Sequence, residues 1–163
     1  MRPRRSSRAS GRCLDCLAMT TAPSKPQQRH AAEEAERAWT ARQLEGIVAA
    51  DDLQVAPWRD DGRTSGTPTW VWCVAVDGAP FVRAYHGRAS RWYQAAARQQ
   101  GGCIVTAGTT LLVRFEALSE AAADAVAERI DAAYRAKYAR SPYLSSMTGL
   151  RARHATVRLH PKA

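Results

Sequence analysis

Two aromatic segments, Trp70-Val71-Trp72 and Phe81-Val82-Arg83-Ala84-Tyr85, flank an Asp77-Gly78 pair. Asp-Gly between alternating apolar residues predicts a two-residue type I′ hairpin. Closed there, Val76 faces Ala79, Val74 faces Phe81, Trp72 faces Arg83 and Trp70 faces Tyr85. Side chains alternate across a strand, so Trp70, Trp72, Phe81, Arg83 and Tyr85 share one face. Val71, Cys73, Ala75, Val82 and Ala84 share the other, which reads as core. A face of large planar rings around one permanent cation suits a planar, anionic small molecule, with Arg83 forked onto a phosphate or carbonyl oxygen. Gly87, Arg88, Arg91 and Trp92 follow within a few residues. Ser90 can cap a helix whose first N–H groups would attract an anion. The competing reading stacks Arg83 on Trp72 and buries the aromatics against a helix or a second subunit.

Other chemistry finds no comparable support. The chain has no Gly-x-Ser-x-Gly, Walker loop or His-Glu-x-x-His. Its four histidines are scattered, and its acids fall mostly on helices and turns, as surface residues do. His86, beside Gly87, is the histidine nearest the aromatic hairpin. No residue is assigned a catalytic role. Cys13-x-x-Cys16 is half of a zinc or redox spacing, but Cys73 and Cys103 stand alone on strand-like segments, so no metal site is expected.

The elements that must position these residues follow from local signals. Thr40 with Gln43 forms a capping box, with Trp39 able to staple onto Leu44. A helix begins there, and residues 31–38 can extend it backwards. Strands are expected near 53–57, over 67–76 and 79–85, at 103–107 and 110–118 around Gly108, and at 156–160. The Ser90 helix ends near Gly101-Gly102. Ser119 caps a long Ala-rich helix whose Val126, Ile130, Tyr134 and Tyr138 supply its buried face, and Pro142 stops it. Six strands and three helices, mainly in hairpin order, predict an α+β fold that is mainly β: a small antiparallel barrel with three flanking helices.

The chain has 163 residues and a net charge of +9. Residues 1–30 carry seven basic side chains against Asp15 alone, which leaves +6 there and +3 in residues 31–163. The division expected is a basic, disordered tail over 1–30, with Met19 as an alternative start, and a single domain over 31–163. A basic tail binds phosphates without sequence preference, so nucleic acid is not the expected partner. No apolar run approaches the ~18 residues that span a bilayer. Nor does the tail hold a signal-peptide core, so a cytoplasmic protein is expected.

From Trp39 to Pro161 the chain resembles the bacterial domain-of-unknown-function family 2255. The resemblance rests on Trp39-Thr40, Asp61-Gly62, Trp70-Val71-Trp72, Asp77-Gly78, Phe81-Val82-Arg83 and Gly87 before Trp92-Tyr93. Its most distinctive part is Ala133-Tyr134-Arg135-Ala136-Lys137-Tyr138. More distantly, Arg63-Thr64-Ser65-Gly66 and Gly87…Trp92-Tyr93 are similar to segments of the deazaflavin-dependent nitroreductase-like, FMN-binding split-barrel group. The Asn-Leu-x-x-Asn-Pro that follows in that group is replaced here by residues 94–100. This second resemblance implies a six-stranded split barrel, often a homodimer, holding FMN or a deazaflavin coenzyme, with Arg63, Ser65, Arg83 and Trp92 as ligand contacts. It implies an oxidoreductase acting on a small molecule; the alternative is a non-enzymatic ligand-binding or dimeric scaffold module of the same fold. On the oxidoreductase reading, Arg83→Ala is expected to weaken cofactor binding and spare the fold; on the module reading, no cofactor affinity and burial of the aromatics are expected.

Overall fold

In the computed structural model, which describes residues 38–162, Thr40 caps the first helix as its spacing predicts. Its hydroxyl accepts from the Gln43 N–H at 3.2 Å, and the Gln43 side chain accepts from the Thr40 N–H at 3.1 Å. Trp39 packs against the core and donates its indole N–H to Leu159 O at 2.9 Å, which pins the helix entry to the sheet. The tail, the Cys13-x-x-Cys16 pair and the backward extension through 31–37 lie outside the described residues.

The elements run α1 (Ala41–Ala49), β1 (Gln54–Pro57), β2 (Thr69–Trp70), β3 (Cys73–Val76), β4 (Ala79–Arg83) and a 3-10 turn (Gly87–Ala89). There follow α2 (Arg91–Gln99), β5 (Gly101–Thr106), β6 (Thr109–Ala117), α3 (Glu120–Lys137), α4 (Leu144–Met147), α5 (Leu150–Arg153) and β7 (Thr156–Pro161). The expected α+β, mainly β architecture holds, with two corrections. The described residues form seven strands, not six, and two single-turn helices join the three expected.

The seventh strand arises because the predicted strand 67–76 is broken. Trp70 and Thr69 pair with Gln54 and Val55 of β1, while Cys73–Val76 pair with β4. The hairpin register is the expected one, Val74 opposite Phe81 and Val76 opposite Ala79, with Asp77 and Gly78 both at positive φ. The spatial order is β2-β1-β5-β6-β7-β4-β3, antiparallel throughout. The two edges are therefore consecutive in the chain, joined only by Val71 and Trp72. A sheet whose edges share one segment must curl, and it forms a half-barrel.

Each face of the hairpin enters a separate core. Val71, Cys73, Val82 and Ala84 pack inside the curl with Ile47, Tyr93, Ile104, Phe115 and Leu159. Val74, Ala79 and Phe81 pack outward against Ile130, Tyr134 and Met147, beneath α3. The aromatic face is thus partly roofed by the Ala-rich helix, whose small side chains permit close approach.

Gly101 and Gly102 belong to β5 and do not merely punctuate the end of α2. The chain reverses one residue earlier, at Gln100, which is in the left-handed region at φ 53°. A Cβ at Gly102 would stand 2.5 Å from Ala56 O and 2.7 Å from the Phe115 ring, so only glycine lets β1 and β5 pair there.

Candidate functional site

Where the closing segment leaves the sheet, a cavity of about 500 Å³ opens. The break itself contributes Thr69, Trp70, Val71 and Trp72 to its wall, and the end of β4 contributes Arg83, Tyr85 and His86. Ser90, Arg91 and Trp92 come from the start of α2, and Tyr143 and Met147 from the α4 region. Six of the residues singled out from the sequence therefore meet at one cavity: Trp70, Trp72, Arg83, Tyr85, Arg91 and Trp92. At its rim Trp70, Tyr143 and Tyr85 keep 59%, 57% and 41% of their surface in solvent, a large apolar exposure for such rings.

Gly87, Arg63 and Ser65 do not line the cavity. Gly87 is buried, at φ +69°, where a Cβ would stand 2.6 Å from Arg151 Cγ; its part is to turn the chain between Tyr85 and α2. Arg63 lies on an exposed turn built by Asp61. The Asp61 carboxylate accepts from the Thr64 hydroxyl and from the backbone N–H groups of Arg63 and Thr64, the latter at 2.9 and 2.8 Å. Those bonds hold its carboxyl down to about 2. Ser65 bridges to Trp58, with its hydroxyl 3.5 Å from Cys103 Sγ.

Arg83 is not the free cation that the hairpin suggested. It is fully buried, and its Nη1 donates to Asp131 Oδ1 at 2.5 Å and to Met147 O at 2.9 Å, its Nε to Thr156 Oγ1 at 3.2 Å. Its guanidinium lies 5.3 Å from the ring centroid of Tyr134, not over Trp72. Asp131 also accepts from Arg153 Nε at 3.1 Å and lies 3.6 Å from Arg135. Removing one member of a buried pair leaves an uncompensated charge, so Arg83→Ala strikes the fold before it reports on any ligand. The expectation that it would spare the fold is corrected accordingly.

Trp72 is fixed by the motif near the end of α3. Its ring stacks on Tyr138, centroids 4.1 Å apart and 7° from parallel. Tyr134 donates its hydroxyl to Trp72 O at 3.2 Å, and Lys137 Nζ donates to Cys73 O at 3.1 Å and Ala50 O at 3.0 Å. The Tyr138 hydroxyl lies 3.3 Å from Cys73 N, which donates to it. These side chains partner backbone groups around the break in the ladder, as buried backbone requires. Burial lowers the Lys137 ammonium from its ordinary range and pushes Tyr138 up to about 12 and the Cys73 thiol up to about 12. Cys73 is thereby kept an inert thiol.

That motif, Tyr134-x-x-Lys137-Tyr138, and the broken aromatic strand fall within residues 43–159, which match the family described as "Uncharacterized protein conserved in bacteria (DUF2255)". The chain belongs to the DUF2255 family. No curated protein matches it. For this DUF2255 protein the first of the two resemblances read from the sequence holds, and the family brings no assigned reaction with it. Among the described residues no group of three His, Cys, Asp or Glu side chains could hold a metal ion. None of their helices is long and apolar enough to cross a membrane.

Sequence reasoning missed Tyr143, Met147 and the buried Asp131. Tyr143 and Met147 follow Pro142 in a stretch without strand or helix period. Asp131 sits among alanines, where a carboxylate reads as solvent-facing.

Proposed function

We propose that the cavity binds a planar, anionic small molecule of the flavin class, FMN or a deazaflavin coenzyme, and that the protein is a cytoplasmic oxidoreductase acting on a small molecule. The observation that carries this reading is one cavity of about 500 Å³ walled by Trp70, Trp72, Tyr85 and Trp92 together with Arg91. That volume lies within the range of small-molecule sites, which combine apolar walls with a few polar anchors. The donor set fits the group: ring faces for a fused planar system, cations for a phosphate, and a buried guanidinium nitrogen with no partner. A bound flavin supplies hydride and electron transfer itself, so the protein need only bind and orient it. Trp72, held by Tyr138, offers a fixed wall, and Trp70 and Tyr85 shield the mouth from water. His86, also on the wall, is the acid–base side chain able to exchange a proton with an acceptor molecule. The buried free thiols Cys73 and Cys103 support a reducing compartment.

The second reading, a non-enzymatic module of the same fold, draws on the partial burial of the aromatic face under α3 and on the Arg83–Asp131 pair. A titration separates the two. The protein is titrated with FMN and, separately, with the deazaflavin coenzyme, following ligand fluorescence, with Arg91→Ala as the site variant. Micromolar binding weakened in the variant is expected. A folded protein that binds neither cofactor overturns the flavin reading and leaves the module.

A further inference from the structure

Arg83 Nη2 is, among the described residues, the buried side-chain nitrogen or oxygen left without a hydrogen-bond partner. The rest of the guanidinium is fully used: Nε by Thr156, Nη1 by Asp131 and Met147 O, and one face by the Tyr134 ring. A charged donor buried without an acceptor is a costly arrangement that a native fold does not keep for packing alone. The charges around it do not cancel either. Arg83, Arg153 and Arg135 gather on Asp131, with Glu128 alone adding a second negative charge through Arg153. Arg83 nonetheless forms part of the cavity wall.

A second feature of that wall points the same way. The N-caps of α1 and α3 each accept a backbone N–H with their side chains, from Gln43 and Ala122. Ser90, at the N-cap of α2, does not, and the first turn of α2 holds no acidic residue. Ser90, Arg91 and Trp92 all line the cavity, so the positive end of this nine-residue helix is presented to it without a cap.

We infer that the cavity contains an oxyanion subsite, in which Arg83 Nη2, Arg91 and the first turn of α2 take the phosphate or carboxylate of the bound molecule. This rests on the reading that the cavity is the ligand site, but not on the ligand being a flavin. The ion pair with Asp131, itself held by Arg153, makes Arg83 a rigid donor, and the uncapped helix end supplies further N–H groups without any side chain having to be ordered. A neutral ligand of the same ring shape would leave Nη2 without a partner, so the subsite selects for the anionic form.

Thermal unfolding of the full chain is followed while sodium phosphate, and separately sodium acetate, replaces chloride at constant ionic strength. A saturable rise in Tm is expected with the oxyanion that the subsite takes, phosphate for a phosphate ester and acetate for a carboxylate. The rise is expected to vanish in Ser90→Asp, whose carboxylate caps the helix and occupies the anion's place, and in Arg83→Lys, which lacks Nη2. Should Arg83→Lys fail to fold, Ser90→Asp decides. No rise with either anion, or a rise that survives in Ser90→Asp, overturns the subsite. FMN against riboflavin keeps this separate from the flavin reading, because the two differ only in the phosphate. Tighter binding of FMN by about tenfold or more is expected. Equal binding overturns the subsite while the flavin reading stands. A phosphate shift without flavin binding supports the subsite and removes the flavin.

Discussion

Asp131 is held between guanidinium groups of Arg83 and Arg153 with no exposure to solvent. Asp131→Asn removes the charge and leaves both cations facing a neutral amide, which is expected to cost about 3–5 kcal/mol in urea unfolding. Replacing the pair together, Arg83→Met with Asp131→Leu, is expected to cost less than Asp131→Asn alone, because the fully buried cation goes with its partner while the part-exposed Arg153 keeps Glu128. A pH dependence comes from His160. Burial lowers its imidazole from the usual 6.5, against the pull of Glu116, whose carboxylate lies 2.5 Å away. The folded protein thus holds this proton less tightly than the unfolded chain, so the contribution is complete above about pH 6.5 and declines as pH falls below it. Urea midpoints between about pH 8 and pH 5 are expected to fall less steeply in His160→Gln than in the wild type. At this scale Arg83 was legible, because a period of two places it among aromatics whatever surrounds the hairpin. Asp131 was not. Its partner lies 48 positions away in the chain, and nothing local distinguishes a paired carboxylate from a solvated one.

The hairpin shows how far local rules carry an element. Asp77-Gly78 dictates the turn, the turn dictates the register, and the register separates core face from aromatic face. The break at Val71–Trp72 follows none of these rules, since Thr67–Val76 reads as one strong strand. It exists because the segment must serve both edges of a curled sheet, a demand set by the other strands. What stabilises it is Tyr134-x-x-Lys137-Tyr138, a motif visible in the sequence whose purpose appears only once the end of α3 is laid against the break. Lys137→Met removes the donor to Cys73 O and Ala50 O while keeping the length of the stem. A loss of about 1–3 kcal/mol is expected in chemical denaturation. If the motif positions Trp72, the variant also changes Trp fluorescence in the native state. A merely surface lysine would move neither.

At the scale of the whole molecule, the distribution of charge bears on one partner class. The chain is strongly basic, at +9, yet only +3 of that falls in residues 31–163. Within the body several cations are locally answered: Arg88 by Glu120 at 3.0 Å, Arg98 by Asp60 at 2.8 Å, Arg129 by Asp77 and Lys137 by Asp51 at 3.9 Å. Paired cations release few counterions on meeting a polyanion, because their neighbours already repel it. Two of the body's cations, Arg83, which is paired with Asp131, and Arg91, meet at a cavity sized for a small molecule. Binding to a nucleic acid duplex is therefore expected to come chiefly from residues 1–30, which hold two-thirds of the net charge. Changing the seven basic side chains there to Gln is expected to lower affinity for a random-sequence duplex at low salt by about tenfold or more. In the same variant the dependence of binding on salt flattens, while the cavity's ligand affinity stays as it was. Undiminished duplex binding would place a phosphate-binding surface on the body, and the arrangement of its ion pairs argues against one.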